Sequence, residues 1–271
     1  MHTVREPAVA GTFYSGNKQV LVSDIKALMN AVNPAERQVS PKAMIVPHAG
    51  YIYSGQTAAI AYARLTPARH TIKRVVLLGP VHRVPVRGLA LPDVDAFATP
   101  LGTVEVDHSA IASIAHLNQV VVSAPAHAQE HSLEVQLPFL QTVLEDFKLV
   151  PLAVGDATPA EVAEVLDTLW GGPETLVVVS SDLSHFLPYE LAQTVDKTTV
   201  QNILNLNNTI THQQACGGTP VNGLTLSAKR HHLKPTLLDL CNSGDTGGDK
   251  HRVVGYASLI FTEEATDDAR H

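Results

Sequence analysis

Four apolar runs in this chain each end at a small or polar loop that carries a histidine. They are Ala43-Met44-Ile45-Val46-Pro47-His48, Val75-Val76-Leu77-Leu78-Gly79-Pro80-Val81-His82, Val120-Val121-Val122 ahead of His127 and His131, and Val177-Val178-Val179-Ser180-Ser181-Asp182-Leu183-Ser184-His185. Imidazoles serve as metal ligands and as proton carriers near neutral pH. If the runs are strands of one open parallel sheet, their carboxyl ends share an edge, and ligands bind in the crevice outside it. Histidines far apart along the chain would then meet.

His48 lies in Val46-Pro47-His48-Ala49-Gly50-Tyr51, where small residues allow close approach of backbone to a ligand; the plainer reading is a tight turn capped by the ring. His82, in Gly79-Pro80-Val81-His82-Arg83, has the same two readings. Cys216, in Ala215-Cys216-Gly217-Gly218-Thr219-Pro220, precedes a helix expected to begin near Pro220 or Val221. A helix N-terminus favours the thiolate, the form that binds metals or attacks electrophiles. Burial as a small hydrophobe is the common fate of a free cysteine, and it is the reading for Cys241 at the end of an apolar run. Asp182 either caps a turn or orients His185, which at a strand end suits a general base. The stretch His127-Ala128-Gln129-Glu130-His131 fits the inverted zinc-protease pattern H-x-x-E-H, but that motif requires one helix face. With Pro125 upstream and a helix expected only after His131, the protease reading is disfavoured. The serine-hydrolase elbow, the P-loop and the dinucleotide fingerprint are absent from the sequence.

The elements that would position these residues read as alternating strands and helices, the pattern of an α/β architecture. Strands are expected over 42–46, 74–78, 88–91, 119–123, 149–154, 176–180, 236–241 and 253–261, and helices over 57–65, 108–117, 133–147, 159–169, 189–206 and 221–233. Thr158 and Pro159 form an N-cap and first-turn proline. Leu133, Leu137, Leu140 and Leu144 share one helical face, and Pro138 either kinks that helix or marks its first turn. A surface loop is expected over 33–40 and a frayed acidic tail over 262–271. No strong linker divides the 271 residues, so one domain is expected across 1–271.

Composition narrows the function classes. A net charge of −7 with scattered lysines and arginines argues against a nucleic-acid partner. No apolar stretch reaches the roughly 18 to 20 residues of a membrane span, and the first residues hold no signal-peptide core. Two cysteines are too few for a disulfide framework and suit a reducing compartment, so a cytoplasmic location is expected.

Read in order, Arg5-Glu6-Pro7-Ala8-Val9-Ala10-Gly11-Thr12-Phe13-Tyr14, Pro47-His48-Ala49-Gly50-Tyr51, Gly79-Pro80-Val81-His82, Glu130-His131-Ser132-Leu133-Glu134, the 180–185 run, Cys216-Gly217, Ser243-Gly244-Asp245 and Gly255-Tyr256-Ala257 resemble the Memo family. Its prokaryotic members are called AmmeMemoRadiSam system protein B. The resemblance implies a three-layer sandwich around a mostly parallel or mixed central sheet, similar to LigB-like class III extradiol dioxygenases. Those enzymes hold Fe(II) with two histidines and a glutamate. Carried over by position, the metal ligands would be His48, His82 and Cys216, with Asp182 and His185 in the pocket and His131 beside it as catalytic groups. Cys216 stands where the dioxygenases place a carboxylate; Fe(II) is the favoured ion, and the softer donor also suits Cu(I) or Zn(II). The implied function is a dioxygenase-like oxidoreductase acting on a small phenolic or catechol-like substrate. Alternatives are a non-enzymatic protein that buffers copper or iron, and an adaptor that holds a peptide in the same cleft. The family's naming implies an AMMECR1-like protein and a radical SAM enzyme as pathway partners.

Overall fold

Four of the expected strands lie side by side and parallel in the order Ala43–Val46, Thr175–Ser180, Arg74–Pro80, Lys148–Val154. Nearly every residue in them is buried, which explains why they read as unbroken apolar runs: a strand covered on both faces has no solvent side to alternate with. Val253–Glu263 pairs antiparallel with Ala43–Val46 and carries both Leu233–Asn242 and His185–Leu187 as antiparallel neighbours. On the opposite flank Leu89–Leu91 runs antiparallel to Lys148–Val154, and Val120–Val122 runs parallel to Leu89–Leu91. Among the described residues these nine strands form one mixed sheet with a parallel centre.

This computed structural model describes residues 2–33 and 40–263. Most of the loop expected over 33–40 and most of the tail expected over 262–271 lie outside the described residues. Thr262 and Glu263, placed by the sequence in a frayed tail, instead extend the last strand, opposite Lys234 and Leu233.

Alternate side chains of the central strands enter two separate cores. Met44, Val75, Leu77 and Val178 face Leu21, Ile25, Ala58, Tyr62 and Phe139. Ile45, Val76, Leu78 and Val179 face Val162, Leu166, Ile203 and Leu224. Helices therefore cover both faces, giving the three-layer α/β sandwich. Helix Lys18–Asn30, absent from the sequence reading, is capped by the Asn17 side chain and buries only Leu21 and Ile25 fully, a stripe too sparse to show as a pattern. Tyr51–Ala63 starts six residues before the expected position, directly after the His48 loop. The expected 133–147 helix is a 3-10 turn, Glu134–Gln136, followed by Leu137–Val143, with Pro138 in the first turn rather than at a kink. Pro159–Thr168 carries a full Thr158–Glu161 capping box.

A second, three-stranded sheet was also missed: Val4–Arg5 pairs with Ala96–Thr99, which pairs with Gly102–Glu105. It brings the N-terminal segment across the face that carries residues 127–134, where Arg5 Nε and Nη2 donate to the carbonyls of His127 and Glu130.

Candidate metal centre

Val46 and Ser180 are register partners, so His48 and Asp182 leave adjacent strand ends at the same level. The backbone N–H of His48 donates to Asp182 Oδ1 at 2.8 Å. His82 follows Arg74–Pro80 on the far side of Thr175–Ser180. His131 comes from a different segment, docked by Ser132: its hydroxyl donates to the Pro80 carbonyl at 2.9 Å, and Ser180 Oγ donates to the Ser132 carbonyl at 2.6 Å. Gly79 makes the docking possible, because a Cβ there would sit 2.7 Å from Ser132 Oγ. As a result one ring nitrogen each of His48, His82 and His131 lies within 4.8 Å of the others, a group that could hold a metal ion.

Hydrogen bonds settle which nitrogens are free. Ser180 Oγ uses its proton on Ser132 and accepts from Gln136 Nε2 at 2.7 Å, so toward His48 Nδ1, 2.9 Å away, it has only a lone pair left. His48 therefore carries its proton on Nδ1 and presents a bare Nε2. His82 Nδ1 lies 2.9 Å from Glu130 Oε1. Burial works to raise the Glu130 pKa, but the His82 ring and the N–H groups of Ser132 and His82 outweigh it and hold the carboxyl down to about 2. Glu130 is thus an acceptor, and His82 likewise presents its Nε2. A histidine whose second nitrogen is held by a carboxylate or hydroxyl is the usual oriented metal ligand. Burial, then the neighbouring rings, push the His48 pKa well down, and burial lowers that of His131, so both favour the neutral form that ligates.

Cys216 Sγ lies 3.3 Å from His48 Nε2. It stands against one ring of the group and is not itself among the three donors that cluster. Gly217 allows this approach: a Cβ there would meet Ser181 Cβ at 2.7 Å, and its N–H donates to Ser181 Oγ. The helix after Cys216 begins at Gly218, earlier than expected. The expected thiolate does not follow from it. Burial, reinforced by the Asp182 charge, pushes the thiol up to about 12, outweighing its hydrogen bonds with Ser181 and with the backbone of Asp182 and Gly217.

His185 Nδ1 contacts the Leu183 carbonyl at 2.9 Å and must donate to it, leaving Nε2 as an acceptor. His185 and Asp182 line, with the three imidazoles, a cavity of about 730 Å³. Burial raises the Asp182 pKa, opposed by the His48 N–H and the nearby rings. His127 is elsewhere: buried, its Nε2 is 2.8 Å from the Ala90 carbonyl and burial holds its pKa down to about 4. The H-x-x-E-H stretch therefore does not bring two imidazoles to one ion. Its glutamate is the residue the sequence reading passed over, although adjacency to His131 was a signal. Ser180 and Gln136 were missed too, since neither type marks a site without its neighbours.

The family model described as Memo-like protein matches residues 5–260. A MEMO1 family protein of Aquifex aeolicus is 38% identical, covering 95% of this chain and 99% of its own. Those of Ignicoccus hospitalis and Archaeoglobus fulgidus are each 36% identical, covering 95% of this chain and 98% and 99% of theirs. A crystal structure of an uncharacterized Escherichia coli K12 protein aligns over 80% of this chain and 98% of its own, with a TM-score of 0.49 and 14% identity. From the family match and the near full-length relatives, this chain belongs to the Memo family.

Proposed function

We propose that the protein is a mononuclear metal-dependent redox enzyme, dioxygenase-like, acting on a small phenolic or catechol-like substrate with Fe(II) as the favoured ion. One observation carries the reading: His48 and His82 spend their Nδ1 protons on Ser180 and Glu130, and their Nε2 lone pairs lie with His131 beside a cavity of ligand size. The donor set fits a borderline divalent ion. His48 and His82 would hold it, with Cys216 the third ligand suggested by family position and His131 left beside the ion as a proton donor. When bound, the ion would supply Lewis acidity and electron exchange with dioxygen.

The remaining steps fall to the chain. His185, with its Nδ1 proton committed to Leu183, takes a proton from a substrate hydroxyl at Nε2. His131, neutral and partly buried, donates toward charge developing on oxygen. Asp182 fixes the His48 loop through the backbone N–H.

A non-catalytic reading, buffering of copper or iron, draws support from the sulfur beside His48, because thiolate donation suits Cu(I). Anaerobic purification with elemental analysis of the wild type, Cys216→Ala and His82→Ala, followed by oxygen uptake across a panel of catechols, separates the readings. Near-equimolar metal with oxygen uptake supports the enzyme. Metal without uptake leaves buffering, and metal content unchanged in both variants defeats both. For partners we propose an AMMECR1-like protein and a radical SAM enzyme in one pathway, and a cytoplasmic location; among the described residues no helix is long and apolar enough to cross a membrane.

A further inference from the structure

Two arginines and two carboxylates, Asp182 and Asp249, line the cavity beside the imidazoles. Arg5, Arg69, Arg74 and Arg230 each pair with a carboxylate. Arg83 and Arg252 make no ion pair among the described residues, and both line this cavity. Arg83 extends from the end of Arg74–Pro80 and Arg252 from the start of Val253–Glu263. Three strand spacings, about 14 Å in all, separate those strands.

Arg252 is held in place. Its guanidinium carbon sits 4.8 Å from the centroid of the Phe186 ring. Phe186 has a φ of 60°, a left-handed conformation rare for an aromatic residue, and it occupies the irregularity between the pairs His185–Val254 and Leu187–Val253. Phe186 is 59% exposed, so core burial does not account for the strained backbone. The bulge places Phe186 between the proposed base, His185, 5.7 Å away between ring centroids, and the guanidinium.

We infer that Arg252, seated on Phe186, recognises a carboxylate carried by the aromatic substrate, with Arg83 in the same cavity a second arginine without an ion pair among the described residues. A guanidinium fork matches a carboxylate in two parallel hydrogen bonds, and the rings of Phe13, Tyr53 and Tyr256 line the same cavity as apolar surface for an aromatic body. A neutral phenol would leave the Arg252 guanidinium without a carboxylate to pair with. This assignment rests on the reading of the cavity as a phenol site and makes the substrate an aromatic acid.

The test uses zinc-loaded protein, in which turnover is suppressed, titrated calorimetrically with catechol, with 3,4-dihydroxybenzoate and with benzoate. The wild type is expected to bind 3,4-dihydroxybenzoate at least tenfold more tightly than catechol, with the ratio shrinking as salt rises. Arg252→Gln should bring the ratio close to one, Arg252→Lys should keep part of it, and Phe186→Ala should lower it, all with unchanged zinc content. Equal affinities in the wild type, or an unaltered ratio in Arg252→Gln, would overturn the inference while leaving the phenol site standing. If neither catechol ring binds but benzoate does, in an Arg252-dependent way, the carboxylate assignment holds and the phenol reading falls. Failure of all three ligands defeats both.

Discussion

Arg5 and Glu134 form an ion pair in the interior, Nη1 to Oε2 at 2.5 Å, and through it the N-terminal segment grips the loop that delivers His131. Glu134 also accepts from the backbone of Ala8 and Val9 and from the Tyr14 hydroxyl. Arg5 spends its other nitrogens on the carbonyls of His127 and Glu130. Phe13, in the same segment, packs its ring 4.8 Å from that of His131. Residues 5–14 therefore contribute positioning, although no side chain among them is a metal donor of the cluster.

Glu134→Gln should destabilise the protein by about 3–5 kcal/mol, since removing one partner leaves Arg5 buried and uncompensated. Urea denaturation of the metal-free form measures it. Pairing Arg5→Gln with Glu134→Gln should recover part of the loss, because no charge is orphaned and the two amides still offer an acceptor to the Ala8, Val9 and Tyr14 donors and a donor to the facing carbonyls; a double variant no more stable than Glu134→Gln would contradict this account.

Glu130→Gln should weaken metal binding by about 10- to 100-fold, as expected when a carboxylate behind a ligating imidazole is lost. Competition against a chelator of known affinity provides the measurement. Ser180→Ala should act in the same direction at His48 and leave Gln136 Nε2 with one acceptor fewer, costing about 1–3 kcal/mol in stability.

Gly79→Ala introduces a Cβ only 2.7 Å from Ser132 Oγ and 3.1 Å from Leu133 Cδ2, so the 130–133 segment must shift. A loss of about 1–3 kcal/mol is expected, together with reduced metal affinity, because Glu130 and His131 move with it. Thermal melts with and without zinc would show the second effect as a smaller metal-induced rise in Tm.

Asp196 sets a pH dependence of stability. Burial raises its carboxyl to about 6, only partly opposed by the Ser184 N–H that donates to it at 3.0 Å. Because the folded-state value lies above the unfolded one of about 3.9, the folded form holds this proton more tightly. Its stabilising contribution is full below about pH 4, is lost as pH rises to about 6, and is flat above that. The swing is at most roughly 3 kcal/mol. Asp196→Asn keeps an acceptor for Ser184 and should flatten the stability profile between pH 4 and 6 in metal-free protein; an unchanged slope would exclude Asp196 as its source.

The run-then-loop patterns at His48, His82, Asp182 and His185 were legible because each is local: an unbroken apolar strand, buried on both faces, announces its own end. The same locality made the α/β class readable, and it failed where an element's identity depends on distant partners. Lys18–Asn30 shows too few buried positions, and Val4–Arg5 is a strand only because Ala96–Thr99 lies beside it.

What the sequence determined by itself was the inventory of donors and the sheet edge at which strand-borne ones emerge. Tertiary structure decided which of them work together. Cys216 reaches His48 across 168 residues, and His127 and His131, four apart, turn to different places. The proton on His48 is assigned by Ser180, Ser132 and Gln136 jointly. An acceptor at the second ring nitrogen fixes the tautomer and aims the first at an ion, and for His48 that acceptor is supplied by chain packing that no single stretch of sequence encodes.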